Sequence, residues 1–578
     1  MKTNLKSNLS RVFKLALALI TVFCFTQKGN SQLKEDWVAR YNRFDKEDKA
    51  IAMVMDKDGF AYITGYTTAK DDSKNILTIK YASSGKELWT AVFEGTRNSD
   101  GSDAAANSIA VDQKGNVYVT GYVQGGLRGK DFCTIKYNSE GEQVWIRNFA
   151  GMGNIEDSDD EGKGIAVDNS GFVIVTGNSE GSGTGYNFCT VKYSEDGQMI
   201  WVRTFNGQAG SNDVVKGIKI DSKDNVIISG TSTGFVSNQD YCTVKYDADG
   251  NEQWHAEYNG AGGNLSVNED EVSDMETDAS GNIYVTGYSY GASTDKDFLT
   301  IKYDSEGNVS WISRINNENV QKGPAFLDEA KAIALDKDQN VYLTGITVSP
   351  AGNSDYYTVK LNAKGQKVWA NSFNSSDFGF SQDEATDIAT DGKGNVYVTG
   401  SVMKLGFERS CGSNKDFATI KYSSDGNFKW VKEYNGTGRF EFSDDIAKAI
   451  ALDGKGGVLV MGESMGDGVD MDFCLIKYSE HYIKEETSVN NNEFRLNDNY
   501  PNPFNPVTKI SFEIPVPSFV RLAVYDVSGR EVALLENKFL QAGSHNYNWN
   551  ATQFSSGAYF YRIQSGYYDQ TRKMLLIK

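Results

Sequence analysis

Carboxylates recur at matched places along this chain, and carboxylates gathered on loops are the groups that hold Ca²⁺ or draw in another cation. Asp103, Asp160, Asp213, Asp270, Asp328, Asp383 and Asp445 each precede a short alternating segment. If those segments are the innermost strands of one fold, the acids from Asp160 to Asp445 ring a channel mouth and form a candidate Ca²⁺ site. The plainer alternative is that each carboxylate fixes its own loop by accepting backbone N–H bonds. A second series, Asp56, Asp112, Asp168, Asp221, Asp278, Asp336, Asp391 and Asp453, stands where strands give way to turns and is read as turn-starting. Eight lysines, Lys80, Lys136, Lys192, Lys245, Lys302, Lys360, Lys421 and Lys477, sit in "IKY"-like segments and are read as partly buried partners of acids in the same or the next unit. Both series repeat too regularly for catalysis, which breaks symmetry. The three histidines, His255, His481 and His545, are scattered, so no His-centred triad or zinc site is visible, and nothing resembles a phosphate loop. No catalytic or cofactor-binding residue is assigned.

These residues are positioned by a repeat. The "IKY" lysines recur eight times, and each copy reads as four short strands: a "NSIAVD"-like segment, a "GNVYVTG"-like segment, a "DFCTIKY"-like segment, and one carrying Trp. Alternation of apolar and polar residues, with Asp/Asn/Gly turns between, signals strands and hairpins. Four-stranded units in series without a credible helix indicate a β-propeller. Trp89, Trp145, Trp201, Trp254, Trp311, Trp369 and Trp430 close copies one to seven, and copy eight runs from "IKYSE" into "HYIKEET" with no Trp. Trp37, in the opening "DWVARYN", is the missing eighth. The fold expected is all-β: an eight-bladed propeller closed by its N-terminal strand, with no bare edge left to pair with other molecules.

Composition bounds the setting. Residues 1–31 hold five positive charges, no acid, and the apolar run "LALALITVFCF", the layout of a secretory signal peptide and too short for a membrane span. The whole chain carries −19 and the remainder therefore −24, which argues against nucleic acid or an anionic membrane as partner. Cys133, Cys189, Cys242 and Cys474 share one repeat position with Leu77, Leu299, Tyr357 and Ala418, so that position is a packing site. Cys411 stands apart in "ERSCGSNKD".

The core "AVDQKGNVYVTG" at 110–121, present with changes in all eight copies, resembles the β-propeller repeats of secreted bacterial proteins (SBBP type). After the polar stretch "KEETSVNNNEF", the segments "NYPNPFNPVTKISFEIP", "LAVYDVSGREV", "AGSHNYNWN", "SSGAYFYRI" and "KMLLIK" resemble, in order, the type A C-terminal sorting domain of bacterial type IX secretion. Alternating strands split by Gly turns make this tail a small β-sandwich. The organisation expected is a signal peptide (1–31), a propeller (33–483), a linker (484–494) and a sorting domain (495–578). What the second resemblance implies is Sec export, recognition of the tail by the type IX machinery, and delivery to the outer surface or the medium with no transmembrane segment in the mature chain.

Function divides three ways. A binding or scaffold module, non-enzymatic and with a glycan or protein ligand, would use the long variable loops after "TG" and after each Trp strand, which emerge on one face. A quinoprotein-like oxidoreductase is suggested by the recurring "G-x-x-x-W", although no "CC" accompanies it. A sialidase-type glycosidase is suggested by "SEDGQMIW" and "SSDGNFKW", which carry the Gly of an Asp-box one position early. The first reading is the one preferred.

Overall fold

Short alternating segments such as "AYITGYTT" satisfy their backbone groups only by pairing sideways, and the computed structural model is built of such strands; among the described residues there is no helix. The structure describes residues 31–44, 46–95, 103–124, 129–151, 158–234, 239–260, 269–291, 296–317, 327–348, 352–375, 382–405, 413–436, 444–466, 470–482, 494–514, 518–540, 543–565 and 568–578. The expected signal peptide up to residue 30 and the linker up to residue 493 lie outside that set.

Residues 31–482 form eight four-stranded antiparallel sheets. The first runs Asp48–Met55, Ala61–Thr68, Lys74–Tyr81, Glu87–Phe93, and six more repeat that order, starting at Ala104, Asp160, Asp213, Asp270, Asp328 and Glu384. The eighth holds Asp445–Leu452, Gly457–Met465 and Met471–Tyr482 in sequence order and takes its fourth strand from the opposite end of the chain. Ser31–Tyr41 pairs with Met471–Tyr482, from Ser31↔Tyr482 to Tyr41↔Phe473.

The turns form as their residues dictate. Asp56 Oδ1 accepts the N–H of Asp58 and Phe60 at 2.9 and 3.0 Å. Asp112, Asp221, Asp336 and Asp453 repeat the pair of bonds in their own turns. Within every sheet the register between first and second strands slips by one residue, as at Ala50/Ala52 and Val272/Asp274, a bulge that re-aims the side chains beyond it. The Gly of "TG" sits against this bulge: a Cβ on Gly65 would lie 1.9 Å from the Lys49 carbonyl oxygen, so only Gly admits the close approach.

Apolar side chains then bind sheet to sheet. Tyr62 and Ile76 of the first sheet share a cluster with Val117, Val119 and Ile135 of the second. A like cluster joins Leu459, Met461, Phe473 and Leu475 of the last sheet to Ala50, Ile63, Leu77 and Ile79 of the first, with Trp37 and Tyr41 packed on it. The tail is two sheets, Arg495–Leu496 with Val507–Ile514 and Gly543–Asn550, and Glu531–Leu540 with Ser518–Tyr525, Gly557–Ser565 and Tyr568–Leu576. They share a core that includes Phe504, Ile510, Trp549, Tyr561 and Met574.

Candidate functional site

The acids of the expected ring are inside the protein. Asp160, Asp213, Asp270, Asp383 and Asp445 are fully buried and Asp328 is 3% exposed. Each opens or precedes the first strand of a sheet, and most accept an N–H from the chain leaving the sheet before. Gly207 N donates to Asp213 at 2.7 Å, Asn317 N to Asp328 at 2.9 Å, Ser375 N to Asp383 and Gly436 N to Asp445 at 2.6 Å, and Gly260 N to Asp270. Asp160 instead takes the Ser158 hydroxyl at 3.0 Å and the Glu180 N–H at 3.2 Å. Burial pushes the carboxyls of Asp160, Asp213, Asp270, Asp328 and Asp445 above the ordinary range, while hydroxyl and backbone donors oppose it. Among the described residues no three His, Cys, Asp or Glu side chains gather closely enough to hold a metal ion.

The structure also changes the membership of the series at its start. Asp103 lies one residue before the matching position, which Ala104 occupies, and receives the Lys74 N–H at 2.9 Å. The member missed in the sequence is Asp48, fully buried, taking the Arg43 N–H at 2.7 Å and pushed up to about 6 by burial. Its loop, "NRFDKED", is shorter than the others, which hid the correspondence.

The tryptophans dock one sheet on the next. Nε1 of Trp37, Trp89, Trp145, Trp201, Trp254, Trp311 and Trp369 donates at 3.0–3.2 Å to the main-chain oxygen of Ser83, Ser139, Glu195, Ala248, Ser305, Ala363 and Ser424, each in the last hairpin turn of the following sheet. The indole lies flat on the Gly of that turn: a Cβ on Gly85 would meet Trp37 at 2.5 Å, and one on Gly141 would meet Trp89 at 2.5 Å. These glycines, at φ near +85°, also need the left-handed backbone. The "G-x-x-x-W" spacing thus has a packing role in this chain. The "IKY" lysine joins the same oxygen: Lys80 reaches Ser139 O at 3.3 Å, Lys136 Glu195 O at 3.0 Å and Lys192 Ala248 O at 3.0 Å. Lys192 also pairs with Asp168 at 2.9 Å, Lys245 with Asp221 at 3.0 Å and Lys477 with Asp453 at 2.9 Å, the acid partnership expected of this series.

Cys133, Cys189, Cys242 and Cys474 are free and buried; burial pushes the thiols of Cys133, Cys189 and Cys474 up to about 12 and that of Cys242 well up. Cys411 lies outside the described residues. All four buried thiols are expected to resist iodoacetamide at pH 8 until denaturant is added, because the thiolate is the reacting form. Mass-spectrometric labelling of Cys133 or Cys189 in the native protein within minutes would contradict the strand register. His255 is half exposed and meets Glu252 Oε1 at 2.7 Å, and His545 stacks on Phe512. The side chain of His481 is outside the description.

One group breaks the symmetry. At the first residue past the bulge, six sheets carry Ala52, Ser108, Gly164, Gly217, Ala332 and Ala449, whereas the fifth and seventh carry Asp274 and Asp387. Two residues on, Lys219 of the fourth sheet forms an ion pair with Glu276 of the fifth. Asp274 accepts Ile333 N at 3.0 Å and Asp387 accepts Ile450 N at 2.8 Å, each reaching into the next sheet. Lys219 and Asp274 act electrostatically on Asp387 as well as on each other, although Asp387 belongs to the seventh sheet, which is next to neither the fourth nor the fifth. Protein surrounds these carboxylates while leaving them some contact with solvent. That enclosure pushes Asp274 up to about 6 and Asp387 up to about 7, with backbone donors and Lys219 opposing. The sequence signal was available: an acid where the other copies have Ala, Gly or Ser.

A carboxyl raised on folding stabilises the fold fully below its unfolded value and loses that contribution as pH rises through its folded value. Asp387→Asn is therefore expected to match the parent near pH 4 and to gain on it up to pH 8, by about 1–3 kcal/mol after allowing for solvent contact. Chemical denaturation at pH 4, 6 and 8 reads this, and a pH-independent difference would contradict it.

The long loops named as a binding surface fall largely on residues outside the description, among them 96–102, 152–157, 261–268, 318–326, 376–381 and 437–443. Among the described residues no helix is long and apolar enough to cross a membrane.

Comparison with known proteins supplies the rest. The profile of the secretion system C-terminal sorting domain matches residues 498–578, and that of the β-propeller repeat (SBBP) matches residues 99–127 and 378–401. No curated protein matches the chain. Similar solved structures include PorZ, a surface component of the type IX secretion system of Porphyromonas gingivalis, at 15% identity over 95% of this chain and 70% of that one, with a TM-score of 0.37. Others are the WD40 domain of SCAP from fission yeast, at 9% identity over 77% and 98% with a TM-score of 0.41, and a Dyadobacter fermentans protein of unknown function, at 9% over 78% and 99% with a TM-score of 0.34. The chain thus carries β-propeller repeats and a C-terminal sorting domain, and that domain indicates export by type IX secretion to the cell surface or the extracellular space.

Proposed function

We propose that the eight sheets are the blades of one propeller, residues 33–483, closed by the N-terminal strand. It serves as a non-enzymatic binding or scaffold module outside the cell, delivered by a signal peptide (1–31) and by a sorting domain (495–578) behind a linker (484–494). The observation that carries the closed ring is at Ser83. Its main-chain oxygen receives Trp37 Nε1 at 3.2 Å and Lys477 Nζ at 3.3 Å, residues from opposite ends of the repeat region, just as Ser139 O receives Trp89 and Lys80. The packing of Asp48–Met55 against Asp445–Leu452, like that of each first strand on the next, supports it too.

Binding is favoured over catalysis because the recurring acids, lysines, tryptophans and cysteines are all engaged in holding the fold. The ligand is a glycan or a protein met by the long loops. A glycan array probed with the mature chain, with an absorbance spectrum of the same sample, tests this: selective retention without turnover or chromophore is expected. Glycan turnover, or a quinone-like absorbance, would favour an enzyme instead.

The buried acids act as loop clamps. Chelator should leave the melting temperature unchanged, whereas Asp213→Ala, which strands the Gly207 N–H and the Ser232 hydroxyl, should destabilise by about 1–3 kcal/mol. A fall in melting temperature with chelator, reversed by Ca²⁺ and absent in Asp160→Asn/Asp213→Asn, would favour the cation site over the clamps.

A further inference from the structure

In seven of the eight sheets the docking oxygen belongs to the backbone. It is the carbonyl three residues after the "IKY" lysine, presented by the hairpin turn between third and fourth strands. The eighth sheet has no such turn, because its third and fourth strands come from the two ends of the chain. Three residues after Lys477 stands Glu480, and there the chain runs on as a strand, with Glu480 paired to Leu33. Its carbonyl therefore sits in a ladder position instead of a turn. The seventh sheet still presents Trp430 and Lys421, and both find the Glu480 side chain: Trp430 Nε1 donates to Oε1 at 3.1 Å and Lys421 forms an ion pair with the same oxygen. Lys421 and Glu480 are 9% and 12% exposed, so neither charge has bulk water as a ready substitute.

We infer that Glu480 is the clasp of the seam: its carboxylate stands in for the turn carbonyl that a two-ended blade lacks, and so fastens the seventh sheet to the strand pair formed by the chain ends. The inference rests on the reading of Ser31–Tyr41 as the closing strand. It makes the Trp contact of the seam depend on one side chain, whereas at each of the other seven junctions the Trp N–H meets a backbone oxygen, even where the lysine, Lys302, turns to Gln339 Oε1 instead. Leu33, which packs on the cluster that also holds Tyr397, Phe417 and Ile476, is held in register by the same pairing.

Hydrogen exchange of the mature chain, read by peptide, tests the clasp. Glu480→Leu removes both contacts and leaves Lys421 unpaired; it should speed exchange in residues 33–41 and Met471–Tyr482 about tenfold while leaving Met199–Phe205 within about twofold. Glu480→Gln keeps an acceptor for Trp430 and loses only the charge, so its effect should be smaller, about threefold; it also serves if the leucine variant does not fold. Adding Lys421→Met to Glu480→Leu should recover part of the protection, because the stranded charge is gone. Protection of residues 33–41 in the parent that is unchanged in both Glu480 variants would overturn the clasp alone. Absence of protection in the parent would overturn the closing strand and the clasp with it.

Discussion

Deletion of residues 495–578 leaves a folded propeller inside the periplasm and almost none at the surface or in the medium. The tail's core cluster, from Leu496 to Leu576, contains no residue of the eight sheets, so its removal takes no apolar partner from them. What is lost is the domain that the secretion machinery reads, matched over 498–578. The proposed signal peptide at 1–31 is untouched, so passage across the inner membrane is expected to continue. Fractionation with an antibody to the propeller should show the truncated protein in the periplasmic fraction, with a thermal transition within a few degrees of the parent's. Its efficient appearance outside the cell would defeat the routing role of the tail. A truncated protein that is unfolded would show instead that the tail is needed for stability, and that outcome is separated from the first by the melting curve.

Most of the fold was legible because a repeat multiplies weak signals. One "GNVYVTG" is an ambiguous strand, but eight at similar spacing, each followed by an "IKY"-like segment and seven of them then by a Gly turn, indicate strand order and the number of four-stranded sheets together. Trp37 was legible for the same reason, as a member absent from one end and present at the other. The misplacement of Asp103 and the omission of Asp48 have one cause. Loop acids were matched by standing before each first strand in loops of unequal length, whereas the shared property is burial at the first strand position, which only pairing defines. The group around Asp387 escaped because the comparison looked for what recurs, and these side chains matter by departing from the pattern. Glu480 was beyond sequence reasoning: its role appears only when the missing turn, the ladder through Leu33 and the approach of Trp430 are seen at once.

Trp37→Ala is the sharpest test of the opening strand. Terminal residues usually tolerate substitution. Trp37 should not, because its indole covers Gly85, its Nε1 holds Ser83 O, and it packs on the cluster that joins last sheet to first. Loss of a packed Trp costs about 3–5 kcal/mol, and Trp201→Ala, which is 7% exposed and makes the same contacts between the third and fourth sheets, should show it in full. Trp37 keeps more solvent contact, so a loss of about 2–4 kcal/mol is expected. Loosening the strand also bares the edge of Met471–Tyr482, whose central residues Phe473, Cys474, Leu475 and Ile476 are buried, and a bare apolar edge recruits other chains. Trp37→Ala should therefore aggregate at denaturant concentrations where Trp201→Ala, with its edges intact, only unfolds. Urea unfolding followed by fluorescence and light scattering distinguishes the two. A near-neutral Trp37→Ala beside a strongly destabilised Trp201→Ala would mean that the N-terminal strand adds nothing to the ring, and that the eighth blade stands on the three strands from Asp445 to Tyr482.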